Sequence, residues 1–204
     1  MKVYAFDFDG TLTKKSTFFA FIRYAKGYLR TNIGLLLFSP ILLLVRLRLY
    51  ANWKAKQQLF SWYFKGMNID EFDEKCRNFA QDKRTLMRKK GIATIETALA
   101  EGDSIIVITA SIENWVKPFF EEFADGVKVE GTHIDVRNKI ITGKFLTKNC
   151  YGKEKIKRLI RVFPYRHSYT LVAFGDGKGD KHLLKEADES HYKPFRKSRL
   201  RKKD

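Results

Sequence analysis

The sequence predicts an α/β protein with a doubly wound, Rossmann-like parallel sheet and a helical cap inserted after the first strand. Three short apolar segments, rich in Val, Ile or aromatic residues and without helical spacing, are typical of buried parallel strands: 3–8, 104–109 and 169–174. Amphipathic segments at 113–123 and 154–163 favour helices between them. This alternation of strand and helix patterns indicates a doubly wound sheet.

The interval between the first two predicted strands breaks the alternation. From Thr13 to Leu99 no segment is typical of a strand, and the pattern favours helices at 17–29, 53–64 and 69–87. A single crossover between parallel strands needs far fewer residues. We therefore interpret the insert as a cap domain.

The expected organisation has a catalytic core, a cap and a tail. The α/β core comprises residues 1–13 and 100–190, and the helical cap comprises residues 14–99 with an apolar segment at 33–45. Residues 191–204 form a basic C-terminal tail. Because this tail is rich in Lys and Arg and has no apolar periodicity, we expect it to be disordered or bound to a surface.

Composition limits the classes of partner. The 204 residues, 44% of them hydrophobic, are enough for one good core and a smaller accessory region. A formal net charge of +17 attracts polyanions such as nucleic acid, an anionic membrane or phosphorylated substrates. The strands carry no interleaved aromatic and basic residues, so no specific nucleic-acid partner is expected. No pattern predicts an oligomeric state.

Cysteine usage and the first residues indicate the compartment. Cys76 and Cys150 do not form a CxxC pair and are too few for a zinc framework or a disulfide scaffold. The first seven residues contain no cleavable apolar core and reach an acid at Asp7. We therefore expect a cytoplasmic protein, with peripheral binding to the inner face of the cytoplasmic membrane as an extension of that expectation.

Polar, reactive groups follow each of the three predicted strands. The candidate site residues that lie there are Asp7, Asp9, Gly10, Thr109, Ala110, Ser111, Asp176 and Asp180. In open α/β sheets, ligands bind beyond the carboxyl ends of the strands. If the three strands are parallel neighbours, these groups converge on one place.

The expected chemistry of this convergence is phosphoryl transfer. Asp7, Asp9 and Asp176 make a cluster of negative charge that needs a cation, and Mg²⁺ is the oxygen-liganded cation most often shared with a substrate phosphate. One carboxylate can act as a nucleophile and form an acyl-phosphate. A second can protonate the leaving group and later activate water.

The segments that carry these residues resemble the motifs of the haloacid-dehalogenase superfamily. Segment 7–12 (DFDGTL) resembles the first motif, segment 105–109 (IIVIT) the second and segment 175–180 (GDGKGD) the fourth, and the resemblance extends from residue 3 to about residue 190. It implies a phosphatase in which Asp7 is the nucleophile, Asp9 the general acid and base, and Thr109 a phosphate binder. It also implies metal binding by Asp7, Asp176 and the Asp9 backbone carbonyl, with Asp180 supporting the metal site.

The third motif is a lysine, and segment 150–155 (CYGKEK) offers two. Lys155 fits the wording of the subfamily motif, Cys-x-Gly-x-Glu-Lys followed by an amphipathic helix. Lys153 remains the alternative. Such a lysine offsets the repulsion between carboxylates and holds the phosphate.

The position of the insert resembles the subfamily that includes phosphoserine phosphatase. The glutamate that holds the substrate amine in that enzyme has no counterpart in segment 14–18 (KKSTF), which argues against phosphoserine as substrate. In layout, segment 18–24 (FFAFIRY) and the proline-broken run 33–45 more closely resemble the phosphatidylglycerophosphatase C family. That resemblance implies an anionic lipid phosphate, such as phosphatidylglycerophosphate, as substrate.

The apolar run 33–45 has two interpretations. With Arg30, Arg46 and Arg48 beside it, it can be a re-entrant or interfacial anchor, in which Leu35–Phe38 and Leu42–Leu44 enter the membrane interface. Alternatively it is a buried helical hairpin broken at Pro40. A span of this length is too short to cross a bilayer as one helix, which needs ~20 residues.

Three functions follow from these observations. The first is a membrane-associated phosphatase of lipid phosphates, and the second is a soluble phosphatase of small phosphorylated metabolites. The third is a non-enzymatic protein that binds polyanions. The three acids Asp7, Asp9 and Asp176 weigh against the third function, because a binding protein has no need of them.

Overall fold

A parallel five-stranded sheet forms the centre of the molecule in the computed structural model, which describes residues 1–196. The strands of the chain, including two that lie outside this sheet, are β1 Lys2–Phe6, β2 Ser104–Ile112, β3 Val127–Thr132, β4 Ile134–Arg137, β5 Ile140–Phe145, β6 Thr170–Gly175 and β7 Glu189–Tyr192. The order in the sheet is β3-β2-β1-β6-β7, and β4 and β5 form a separate antiparallel hairpin. The predicted fold class is confirmed.

Both faces of the sheet are buried, which explains why its central strands are almost uniformly apolar. Along β1, Val3 and Ala5 point to one hydrophobic cluster and Phe6 to the other. Neighbouring β2 follows the same alternation, since Ile106 lies in the first cluster and Val107 in the second. The three strands predicted from the sequence are β1, β2 and β6, and they are direct neighbours.

Helices cover the sheet and fill the interval between β1 and β2. Their bounds are α1 Thr17–Leu37, α2 Ser39–Arg46, α3 Asn52–Phe64, α4 Ile69–Asp82, α5 Lys89–Ala100, α6 Glu113–Val116, α7 Lys153–Val162 and α8 Lys181–Glu186. Short 3₁₀ segments occur at Arg84–Leu86, Lys117–Gly126, Arg166–Ser168 and Lys178–Asp180. Most of the chain between β1 and β2 is therefore helical, and the isolated bridge of Thr13 to Met87 is a small exception.

Several predicted boundaries were wrong for identifiable reasons. The helix expected to end at residue 29 is part of an element that extends to Leu37, and this element consists of two helical pieces joined by a kink at Gly27, whose φ of 77° and ψ of 167° are not helical. The helix expected at 113–123 ends at Val116 and continues as 3₁₀ turns, where Pro118 cannot donate to an α-helical ladder. The helix expected at 69–87 ends at Asp82.

The expected tail also begins too early. His191 and Tyr192 lie in β7, where they pair with Phe174 and Gly175 of β6. The ring of Phe195 then stacks on that of Phe174, with centroids 5.5 Å apart. The start of the predicted tail is thus bound to the sheet, and the rest of that prediction, residues 197–204, lies outside the described residues.

Helices α1 and α2 present two different faces. Thr31 and Gly34 are buried against α3: the Tyr63 hydroxyl donates to the Thr31 carbonyl over 2.8 Å, and a Cβ on Gly34 would meet that hydroxyl oxygen at 2.1 Å. The other face exposes large apolar side chains, which we call the apolar surface: Leu29, Ile33, Leu36, Leu37, Leu43, Leu44, Leu47 and Leu49.

The alternative interpretation of the run 33–45, a buried hairpin, is therefore wrong for much of this run. Helix α2 contains no buried residue, and Leu36 is 75% exposed. The list of interface residues also needs correction, because Phe38 and Leu42 pack partly against the core. Among residues 1–196, no single helix is long and apolar enough to cross a membrane, whereas α1 and α2 together meet that criterion but are bent by 62°.

Candidate active site

The carboxyl ends of β1, β2 and β6 open into a cavity of about 390 Å³. Because the three strands are neighbours and parallel, the residues that follow them meet at one edge of the sheet. The cavity is lined by predicted site residues from all three strands, namely Asp7, Asp9, Thr109, Ala110, Asp176 and Asp180, and by Lys155. The structure thus brings these residues together.

The Asp7 carboxylate lies at the centre of the site and is 7% exposed. Its backbone N–H still donates to Phe174 of β6 over 2.8 Å, so the sheet holds its position. Lys155 Nζ lies 2.5 Å from Asp7 Oδ1 and 2.7 Å from Asp180 Oδ1. The Thr11 hydroxyl donates to Asp7 Oδ2 over 3.1 Å. Both Asp7 oxygens are therefore held in place.

Burial and charge act against each other in this ion pair. Burial raises the pKa of Asp7 to about 7, although Lys155 favours the carboxylate. Burial also disfavours the charged form of Lys155, but Asp7 and Asp180 outweigh that effect and raise the pKa of the lysine. Lys155 thus stays charged, and its positive charge offsets the repulsion between the Asp7 and Asp180 carboxylates.

The Asp9 carboxylate is bound by residues at the start of α1 and near the end of β2. Its Oδ1 accepts from the backbone N–H of Thr17 over 2.6 Å and from the Thr17 hydroxyl over 2.8 Å. Thr17 is the first residue of α1, so Asp9 lies at a helix N-terminus, where a negative charge is stabilised. The Ser111 hydroxyl donates to the other oxygen, Asp9 Oδ2.

The residues after β2 divide between the cavity and its wall. Thr109 is 1% exposed, lines the cavity with Ala110, and accepts from the Ser111 N–H over 3.0 Å through its hydroxyl. The pairing of β2 with β3 shifts register between Ile108 and Ile112, which accommodates this local turn of the strand. Ser111 contacts Asp9 and does not line the cavity itself.

The loop after β6 brings two more carboxylates to the site. Asp180 Oδ2 accepts from the backbone N–H of Asp176 over 3.1 Å and from that of Gly177 over 3.0 Å. The other Asp180 oxygen pairs with Lys155. Asp180 therefore fixes the loop after β6 relative to that lysine. A Cβ on Gly10 would lie 2.5 Å from Asp176 Oδ2, so the approach of Asp176 to the first strand requires glycine there.

Carboxylate oxygens of Asp7, Asp176 and Asp180 lie within 4.8 Å of one another. Such a group of hard oxygen donors fits Mg²⁺. The Asp9 side chain, which was also predicted at the metal, is directed to Thr17 and Ser111.

The structure separates the two candidate lysines. Lys155 contacts Asp7 and Asp180, whereas Lys153 lines a different cavity with His182 and Glu186. Lys155 is the third residue of the amphipathic helix α7, and its side chain lies on the buried face of that helix.

Sequence reasoning missed two basic residues at the site. Lys56 of α3 lines the cavity, and its Nζ lies 5.5 Å from the centre of the Phe18 ring. Burial lowers its pKa, with Asp9 and Asp7 opposing the shift. Arg196 forms an ion pair with Asp176 from the other end of the chain. Neither residue belongs to a local pattern, so only the basic composition hinted at such residues.

Most of the chain is similar to known proteins. The family described as haloacid dehalogenase-like hydrolase matches residues 4–185. Protein CicA of Caulobacter vibrioides, found in two strains, is 32% identical over 194 residues, which cover 94% of this chain and 86% of CicA.

Solved structures share the fold at lower identity. A Bordetella pertussis Tohama I protein of unknown function aligns with a TM-score of 0.76 and 16% identity, covering 93% of this chain and 88% of that one. A phosphoserine phosphatase in complex with its substrate aligns with a TM-score of 0.62 and 17% identity, covering 94% and 85%.

Proposed function

Because the chain belongs to the haloacid dehalogenase-like hydrolase family, as its motifs predicted, we propose that it is a Mg²⁺-dependent phosphatase that forms an aspartyl-phosphate on Asp7. The observation that carries this proposal is the convergence of Asp7 and Asp176, at the ends of adjacent parallel strands, with Lys155 from the start of α7. A buried nucleophilic carboxylate beside a fixed cation is suited to attack on a phosphate ester.

The reaction divides into two steps at Asp7. In the first, an Asp7 oxygen forms a bond to phosphorus, the bond from phosphorus to the ester oxygen breaks, and protonated Asp9 gives its proton to the departing alcohol. In the second, Asp9 takes a proton from water, the water oxygen bonds to phosphorus, and the bond from Asp7 to phosphorus breaks to release phosphate. Lys155 and Thr109 bind phosphoryl oxygens in both steps.

Asp7, Asp176 and the Asp9 carbonyl would hold Mg²⁺, with Asp180 fixing the loop that carries Asp176. When bound, the ion offsets the negative charge that collects on the phosphoryl oxygens. Asp9 is suited to proton transfer because the Thr17 N–H and hydroxyl and the Ser111 hydroxyl keep its carboxylate outside the metal cluster.

For the substrate, we propose an anionic lipid phosphate. The apolar surface is unusual for a water-facing helix pair, and Arg30, Arg46 and Arg48 are exposed beside it. Each CH₂ that enters a bilayer contributes ~0.8 kcal/mol, and each arginine near anionic headgroups ~1 kcal/mol. Leu42 and Lys56 line the catalytic cavity, so α2 and α3 connect the apolar surface to the site of reaction.

A small phosphorylated metabolite is the second candidate substrate. The catalytic cavity of about 390 Å³ lies within the range of small-molecule sites. Beyond Asp7 and Asp9, the residues at the start of α1 that line this cavity, Ser16, Phe18 and Phe19, include no acid that would bind a substrate amine, which disfavours phosphoserine within this class.

The reaction is tested by a phosphatase screen of phosphatidylglycerophosphate beside soluble phosphomonoesters, in Mg²⁺ and in EDTA. We expect turnover in Mg²⁺, none in EDTA, and weak turnover in Ca²⁺, because calcium tolerates looser coordination than in-line transfer needs. Full activity in chelator would contradict the proposed mechanism. A strong preference for a soluble metabolite would favour the second substrate class.

Membrane binding is tested by co-sedimentation with anionic vesicles. We expect the bound fraction to rise with the fraction of anionic lipid, and the double variant Leu36→Asp with Leu43→Asp to abolish binding. Both leucines are exposed, at 75% and 56%, so this variant should keep its fold and its hydrolysis of a small soluble phosphomonoester. If the unmodified chain stays in the supernatant at low salt, the membrane proposal is wrong.

A further inference from the structure

A second cavity adjoins the catalytic one. It measures about 620 Å³ and lies between the start of α3 and the segment that joins β5 to α7. Trp53, Phe145, Leu146 and Tyr151 form apolar walls, and Asn149 is among the polar residues that line it. Asn149 and Tyr151 line both cavities, so the two spaces are direct neighbours.

The boundary between the cavities is held firmly. The Gly152 N–H donates to the Gly179 carbonyl over 3.0 Å, which ties the Tyr151 segment to the loop of Asp176. A Cβ on Gly179 would meet the Tyr151 ring at 2.7 Å, so the ring packs directly on the backbone of that loop. On the opposite side, the Phe145 N–H donates to Gln57 Oε1 of α3 over 2.9 Å. The second cavity is therefore a built feature of the fold.

The walls define what this cavity would bind. Asn149 Oδ1 is buried and has no hydrogen-bond partner within residues 1–196. A buried acceptor without a donor is costly, so a rotation of the Asn149 amide that turns this oxygen to a ligand donor in the cavity would be favoured. Farther out, Trp53 and Leu146 remain 42% and 66% exposed and offer apolar surface. The polar group is thus near the phosphate and the apolar surface away from it.

We propose that the second cavity is the leaving-group subsite, and that it takes an alcohol with a hydroxyl close to the phosphate ester and an apolar chain beyond. This inference rests on the proposed phosphatase function and specifies its substrate. The phosphoryl group would occupy the catalytic cavity, the hydroxyl would donate to Asn149, and the chain would lie against Trp53 and Leu146.

Three water-soluble substrates separate these contributions without a membrane. Glycerol 3-phosphate supplies hydroxyls, hexyl phosphate supplies an apolar chain, and hexanoylglycerol 3-phosphate supplies both. We expect kcat/KM for the last to exceed that for either of the others by roughly 10-fold or more, given the apolar area that a six-carbon chain buries.

Two variants test whether residues of the second cavity cause these differences in kcat/KM. Trp53→Ala should lower kcat/KM by ~10-fold for the two substrates with a chain and leave glycerol 3-phosphate within about 2-fold. Asn149→Ala should lower it by ~10-fold for the two hydroxylated substrates and spare hexyl phosphate. Tyr165→Ala, which removes an exposed aromatic ring outside both cavities, is the matched control and should leave all three unchanged.

Calorimetry distinguishes a failed subsite from a failed phosphatase. Hexanoylglycerol 3-phosphate should bind the Asp7→Asn variant, and addition of Trp53→Ala should weaken that binding by ~10-fold. If the enzyme hydrolyses all three substrates at similar kcat/KM and neither variant discriminates among them, the subsite is wrong and the phosphatase stands. If no phosphomonoester is hydrolysed but binding still depends on Trp53, the binding site stands and the proposed reaction is wrong.

Discussion

The catalytic site and the apolar surface depart from ordinary protein packing in opposite directions. At the site, the charged groups Asp7, Lys155 and Asp180 are buried, and each has a partner of opposite charge. On the apolar surface, large leucines face outward and are not covered by any residue of the described chain, 1–196. Buried charges require pairing and exposed apolar patches require a partner, so the first region is complete in itself and the second is not.

Helix α2 shows how close the two regions are. Leu42 lines the catalytic cavity, while Leu43 and Leu44 on the same helix are exposed. Helix α2 therefore contributes residues both to the catalytic cavity and to the apolar surface. We therefore expect turnover to depend on the catalytic site and membrane binding on the apolar surface. Single substitutions can test whether the two properties are separable.

The largest expected effect is at the nucleophile. Asp7→Asn should lower kcat by roughly 10³-fold or more, because the amide cannot form the covalent intermediate. The exposed Asp125→Asn is a matched control and should retain full activity. Measurement of kcat with a soluble phosphomonoester, together with vesicle co-sedimentation, should show lost turnover with unchanged membrane binding. Activity within tenfold of the unmodified chain would contradict the mechanism.

The next effect concerns the charge pairing of the site. Lys155→Met would leave Asp7 and Asp180 facing each other in a buried space, which costs about 3–5 kcal/mol when one partner of a buried ion pair is removed. Denaturant unfolding should show this loss, and Mg²⁺ should recover part of it by binding the two carboxylates.

The comparison variant is Leu36→Asp, on the apolar surface. Its side chain is 75% exposed, so it should change the free energy of unfolding by less than about 0.5 kcal/mol. Equal destabilisation by the two variants would show that the site does not depend on its charge pairing.

The sequence pattern predicted the strands that are buried on both faces of the sheet. Strands β1, β2 and β6 are central and therefore appear as continuous apolar runs, which made them and the residues at their ends predictable. The edge strands were missed, since β3 contains Lys128 and Glu130 and β7 is exposed along its length. An edge strand needs no apolar run, so its sequence pattern is weak.

The site residues that could be predicted are likewise those connected to the central strands. Residues that end a central strand, such as Asp7 and Asp176, could be anticipated because the topology brings them together. Lys56 and Arg196 reach the cavity from α3 and from the segment after β7, and no local spacing relates them to the motifs. Their positions depend on tertiary packing, of which the stacking of Phe195 on Phe174 is one part.

The smallest expected effect concerns Arg196, which pairs with Asp176 in the candidate metal group. A cation that neutralises this carboxylate competes with Mg²⁺ for it, so Arg196→Gln should tighten Mg²⁺ binding. Because the arginine side chain is 44% exposed, solvent screens the interaction, and we expect a gain of only about 2- to 5-fold. Calorimetric titration with Mg²⁺ in the absence of substrate measures this affinity directly.

The matched control for this prediction is Arg137→Gln, which removes an equal charge from the β4–β5 hairpin, where Arg137 pairs with Asp135. It should leave Mg²⁺ affinity unchanged, whereas an equal gain in both variants would reflect net charge alone. The advantage of Arg196→Gln should shrink as salt rises, because exposed charges are screened over ~10 Å at 0.1 M ionic strength. Weaker Mg²⁺ binding in Arg196→Gln would show instead that the arginine orders Asp176 for the metal. The catalytic site would then depend on an exposed contact, as the apolar surface does.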